Sequence, residues 1–286
     1  MGDERMIYRC GILAERLRSL GHSVALEAAN RDSRPFAVVA DETLKLGLEV
    51  EAAVEAVRFP GLGPRPAADT GFLAAIAESA RSLSLLAVNG AIESINSRGG
   101  AAVAICVDGI REAALELESL CAGEAHRGPG GELPAVASPS LASTARDYML
   151  AFSAGGRRFL ENFGYLREVM RYSYAASCLE GTTLRIRGHA WPFIDLAAAL
   201  GPALGPAVVP GEDRDVLVVR ASWEGSDGRE YAVAVDRLGA GAILRPRVGR
   251  HVEPRAGAPF AGLVRECWAA SDGSQFLFLD WPRFLA

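Results

Sequence analysis

The side chains best suited to chemistry are sparse in this chain: four histidines and five cysteines among 286 residues. His22, His126, His189 and His251 are not spaced as metal ligands, which recur at short fixed intervals. His22, in GHSVALE, is where a phosphotransfer histidine would be sought, yet it lacks the flanking charges of such sites and reads as an exposed or interface side chain. Cys10, Cys106, Cys121, Cys178 and Cys267 form no C-x-x-C pair. Unpaired thiols in odd number suit a reducing compartment, each packing as a small hydrophobe. No P-loop, G-x-S-x-G or paired-carboxylate motif occurs, and GLGPRP (61–66) follows no strand, so it is not a dinucleotide fingerprint. The expectation is no catalytic residue, no metal and no cofactor: a protein that works by binding.

The totals favour packed domains. Half the residues are hydrophobic and 23% are charged, which excludes wholesale disorder. The net charge of −5 falls entirely within residues 1–121, while residues 122–286 balance. Neither part has the basic stripe that a phosphate backbone requires, so nucleic acid is not an expected partner. The sequence offers no uninterrupted apolar run of about 18 residues, and its first twenty residues are too charged for a secretory leader. A cytoplasmic chain without membrane insertion is expected.

Two Pro/Gly-rich stretches, 59–71 and 122–145, read as connectors because they sustain neither a helix nor a buried strand. Before and between them run four helical patterns. Met6, Cys10, Leu13, Leu17, Leu20 and Val24 mark the first; Phe36, Val39, Thr43, Leu46, Val50, Ala53 and Val57 the second. The fourth has Val103, Val107, Ile110, Ala114, Leu117 and Cys121. Alternating steps of three and four average about 3.5 residues and keep one seam toward a partner helix. The third, 72–95, carries two apolar stripes, as befits a helix with two neighbours. Turns near 30–35 and 96–100 fold the helices into antiparallel hairpins, 6–58 and 71–121. Residues 1–121 are thus expected to form an antiparallel four-helix bundle of two tandem hairpins.

From residue 146 onward short alternating runs separated by glycine-rich turns predict strands: YMLAF, TLRIRG, WPFIDL, DVLVVRASW, EYAVAVD, GAILRP and QFLFLD. FLENFGYLREVMRYSYA and LAAALG read as loops with at least one short helix. Residues 146–286 form the second domain.

Two resemblances follow. FAVVADETLKL (36–46) resembles the returning arm of the signalling hairpin of methyl-accepting chemotaxis receptors, and VALEAAN (24–30) stands where the outgoing arm would be. IAESARSLSLLAVNGAIES (76–94) resembles that outgoing arm a second time, followed by an eroded return, VAICVDGIREAA (103–114). The motif is therefore present twice in tandem. Residues 147–286 resemble a CheW-family coupling domain through YMLAFSAGGRRF, LREVM, LRIRGHAWPFIDLAAALG, EYAVAVDRL and FLFLDWPRFL, in order.

The resemblance implies two SH3-like five-stranded β-barrels, a groove for a receptor-tip helix and a face for a chemotaxis histidine kinase. It implies docking roles for Glu168, Val169, Arg187, Gly188, Phe193, Ile194, Asp236 and Arg237, with Ile186 a further groove candidate. Glu168 and Arg187 are expected to pair in the bidentate geometry only a guanidinium allows. Gly188 is expected in a backbone conformation closed to other residues. Asp195 and Asp280 are expected to cap or turn the chain. Glu27, Asn89 and Glu93 correspond to polar contacts of receptor tips, but the family's Arg after the outgoing arm is Asn30 in one copy and Asn96 in the other. The implied partners are a histidine kinase, chemoreceptor signalling tips and, alternatively, the chain's own helical bundle seated in the coupling groove.

Overall fold

The computed structural model describes residues 2–31, 33–58, 70–96, 101–122, 149–201, 214–220, 228–236, 238, 243–244, 249–252, 263–270 and 275–284. Both connectors fall almost wholly outside them, and Arg237 and His126 lie outside entirely. The chain divides into two compact units, Met1–Ala145 and Arg146–Ala286.

In the first unit the helices are α1 (Gly2–Arg31), α2 (Arg34–Arg58), α3 (Thr70–Asn96) and α4 (Ala101–Ala122). The ring of contacts runs α1–α2–α3–α4 and back to α1. In three of these pairs, positions descend on one helix as they ascend on its neighbour, which makes them antiparallel. Gly11 lies by Val54 and Gly21 by Leu44; Arg9 lies by Glu116 and Arg16 by Glu112; Gly90 lies by Val107 and Ser84 by Glu118.

The buried faces follow the sequence periodicity. Phe36, Val39, Thr43, Leu46 and Val50 of α2 are buried, as are Cys10, Leu13, Leu17 and Val24 of α1. At the end of α2 the stripe shifts to Val54, and Ala53 and Val57 are only half-buried. A straight helix repeats every 3.6 residues, so a seam drawn on a strict seven-residue repeat drifts off by about 20° per heptad. Glycines admit the closest approaches. A Cβ on Gly21 would stand 2.6 Å from Leu44 Cγ, and one on Gly109 would stand 2.8 Å from Leu20 Cδ2. By length and composition Gly71–Ile95 is apolar enough to cross a membrane, which a search for uninterrupted apolar runs does not reveal. The same composition is what a helix packed on two neighbours needs, and half of that stretch is buried against them.

The second unit holds two sheets. The strands are β1 (Met149–Ala154), β2 (Arg157–Asn162), β3 (Leu166–Arg171), β4 (Leu179–Glu180), β5 (Thr183–Ile186), β6 (His189–Asp195), β7 (Arg214–Arg220), β8 (Glu230–Asp236), β9 (Ile243–Leu244), β10 (Gly249–Val252), β11 (Val264–Ala270) and β12 (Gln275–Leu279). One sheet runs β10-β11-β12-β2-β1-β9, drawn from both ends of the unit; the other runs β3-β7-β8-β6-β5-β4, from its middle. Each sheet has six described strands where five were expected, the two-residue edges β9 and β4 adding a rung to each. LREVM, expected in a loop, is strand β3, because its long-range partner β7 supplies the ladder that local composition does not announce. The helix foreseen nearby is α5 (Tyr172–Ser177), and LAAAL forms α6 (Leu196–Leu200).

β7 and β8 are buried on both faces. Val216, Val218, Ala232 and Ala234 meet Met170, Leu184, Ile186 and Trp191 in one core. Leu217, Val219, Val233 and Val235, the alternate positions of the same two strands, are buried as well.

Candidate functional site

β5 and β6 are joined by two residues only, since Ile186 faces His189 in the ladder. Two-residue hairpins that match the strand twist are types I′ and II′, and type I′ needs positive φ at both central positions. Arg187 has φ +50° and Gly188 +80°. Arg187 is the one non-glycine residue with positive φ among the described residues, a conformation that crowds its Cβ. The expected backbone role of Gly188 is thus a type I′ turn, and Arg187 is carried at its tip.

The expected Glu168–Arg187 pair is present in weaker form. One contact of 3.5 Å joins Arg187 Nη1 to Glu168 Oε2, with the arginine side chain 72% exposed. It is not bidentate, because the turn holds Arg187 out toward solvent.

Charge pairing is stronger at residues the sequence did not single out. Arg167 is the extra residue of a bulge in β3, since Leu166 faces Val219 while Glu168 faces Val218. A bulge re-aims a side chain. Here Arg167 Nη1 donates to both carboxylate oxygens of Glu230 at 2.7 Å, and its Nη2 lies 3.1 Å from His189 Nε2. Trp191 Nε1 donates to Glu230 Oε2 at 2.9 Å, and Arg220 reaches Glu230 Oε1 at 3.4 Å. The His189 ring stacks on Trp191 at 5.4 Å. Burial pushes the Glu230 carboxyl up, but the hydrogen bonds from Arg167 and Trp191 and the charges of Arg167 and Arg220 outweigh it and leave it below the usual range.

At the far end of β6, Arg214 forms the two-pronged pair. Its Nη1 and Nη2 donate to Asp195 Oδ2 and Oδ1 at 2.7 and 2.9 Å, and its guanidinium lies over the Tyr172 ring. Asp195 also caps α6 by accepting from Ala198 N. Burial raises the Asp195 carboxyl, and the Arg214 and backbone hydrogen bonds bring it below the usual range.

The remaining expected residues scatter. Val169 and Ile186 are buried in the interior, 3% exposed each, so neither presents a side chain to a partner. Strand alternation turned them inward. Phe193 and Ile194 are half-buried or close to it, and Phe193 packs on Tyr172. Asp236 ends β8 opposite Arg214. In the helical unit Glu27, Asn89 and Glu93 are half-buried, and burial pushes the Glu93 carboxyl up. Among the described residues no three His, Cys, Asp or Glu side chains are grouped as a metal set.

No family model matches the chain, and no curated protein matches its sequence. Among solved structures, the scaffolding protein TtCheW from Thermoanaerobacter tengcongensis is similar at 15% identity and a TM-score of 0.36, over 47% of this chain and 84% of that one.

Proposed function

We propose that this chain is a non-enzymatic scaffold of a chemotaxis signalling system, a coupling domain fused to a receptor-tip-like bundle, linking chemoreceptors to a histidine kinase in the cytoplasm. The observation that carries the reading is the joint occurrence, in one chain, of two tandem receptor-like hairpins and a β unit whose LRIRGHAWPFIDL segment carries an exposed Arg187. In this reading the four helices are an antiparallel bundle closed within one polypeptide, and the two sheets are the paired SH3-like barrels of a coupling domain. Glu168, Arg187 and Gly188 form one docking edge. Phe193 and Ile194 supply half-buried apolar surface, since a helix laid in a groove draws affinity from buried area. Asp236 and Arg237 belong to the same docking domain by resemblance, and Glu27, Asn89 and Glu93 are the tip-like contacts.

The test is capture of a chemotaxis kinase regulatory domain and of a receptor signalling-tip fragment by the full chain, with and without residues 1–121. Capture of both by the full chain supports the scaffold, and capture of neither refutes it. Stronger capture after deletion would move the reading to a self-inhibited regulator whose helical bundle occupies its own coupling groove.

A further inference from the structure

The β5–β6 hairpin is tied to its sheet in an unusual way. His189–Pro192, the first part of β6, pair with β5 alone. Pairing with β8 begins only at Phe193 and ends at Asp195. On its other edge β5 pairs with the two residues of β4, and the Arg185 N–H donates to the Cys178 carbonyl. It is therefore the end of the ribbon beyond Arg185, with Arg187 at its tip, that runs past the backbone ladder and draws on side chains to fix its direction. Two of those side chains, His189 and Trp191, lead to one carboxylate. Trp191 donates to Glu230 directly, and His189 is reached through Arg167, which grips both Glu230 oxygens. Glu230 sits at the start of β8, with its side chain 13% exposed, so the anchor is on the rigid central ladder.

We propose that Glu230 is the positioning residue of the docking edge, fixing the β5–β6 ribbon to the β3–β7–β8 ladder through Trp191 and the Arg167–His189 arm. This role rests on the reading of that edge as a docking surface only for its effect on partners; its effect on the ribbon stands apart. The apolar contacts of Leu184, Ile186 and Trp191 hold the ribbon down on the core. They are non-directional, whereas a carboxylate gripped at both oxygens fixes an angle. Preorganised side chains of this kind limit the loss of freedom on binding.

Glu230→Gln tests it in the full chain, since the amide keeps an acceptor for Trp191 and loses the charge that holds Arg167. Hydrogen exchange of the 185–191 amides is expected to quicken about tenfold while the β7–β8 amides stay as slow as before. Binding of the kinase regulatory domain or the receptor-tip fragment is expected to weaken about tenfold with the melting temperature within a few degrees of the parent. A purely structural residue would lower melting temperature and affinity together, and that result, or unchanged exchange, overturns the proposal. If the parent chain captured neither partner, the docking reading would fall and the exchange comparison would still decide the role of Glu230. Should Glu230→Gln fail to fold, Trp191→Phe removes one donor and keeps an aromatic ring. Exchange about threefold faster in the ribbon then supports the anchor, and no change refutes it.

Discussion

The helical and β units differ in where they place charge pairs between elements, although the helical unit holds one largely buried pair within a helix, Asp108–Arg111. In the helical unit the interhelical ion pairs Arg9–Glu116, Arg16–Glu112 and Arg18–Glu51 lie at the rim, each partner a third exposed or more, around apolar seams. In the β unit Arg214 is almost fully buried against Asp195, and Glu230 gathers Trp191, Arg167 and Arg220. Rim pairs contribute little because water competes for them, whereas a buried charge that loses its partner is stranded. Both units are packed on apolar cores, and the second adds a nearly buried arginine and a carboxylate shared by several donors between its elements.

The sharpest way to break this contrast is Asp195→Ala. It strands the Arg214 guanidinium and removes the α6 cap, at an expected cost of about 3–5 kcal/mol. Urea titration followed by tryptophan fluorescence reads it cleanly, because all four tryptophans lie in residues 146–286. In the helical unit Leu83→Ala opens a cavity at a side chain with no exposure and is expected to cost about 2–5 kcal/mol, read by far-ultraviolet dichroism at the helix band. Gly21→Ala drives a methyl onto Leu44 and is expected to cost about 1–3 kcal/mol less whatever helix propensity returns. Arg9→Ala, at the rim, should move the same transition by no more than about 1 kcal/mol.

Acid sharpens the comparison further. Asp195 and Glu230 have depressed folded values, so their contribution is present above the ordinary carboxylate range and is lost as pH falls through those folded values. Burial raises Asp108, partly offset by Arg111, and burial raises Glu93. Their folded state takes up protons first, so falling pH through those raised values stabilises the helical unit. Thermal melts carried from neutral pH to below the ordinary carboxylate range should therefore show the fluorescence transition falling relative to the dichroism transition. Parallel movement of both would remove the contrast.

These differences also explain what was legible in sequence. The seam residues Phe36, Val39, Thr43, Leu46 and Val50 could be read because a helix repeats locally and its buried face recurs with the chain. Gly188 was legible as a backbone demand, but the turn was not, because TLRIRG reads as one run and Arg187 shares the positive-φ conformation with the glycine. The partner of Arg167 was not legible either, because Glu230 is 63 residues away and only the β3 bulge aims one at the other. Glu168, one residue along, carries the motif and makes the weaker contact. Likewise Val169 and Ile186 are ordinary strand positions whose facing depends on which sheet each strand joins.

The parallel pairing of β12 with β2 bears on how the chain is made. Phe159 lies opposite Leu277, and Glu161 accepts from the Trp281 indole, so the first sheet is seamed by segments more than a hundred residues apart. A ribosome releases α1 just ahead of α2, and α3 just ahead of α4, so each of these helices has one partner close at hand. By contrast, β2 must wait, unpartnered on one flank, until the last strand emerges. A translational pause placed before residue 275 would extend the window in which that flank is open to chaperones or to a neighbouring nascent chain.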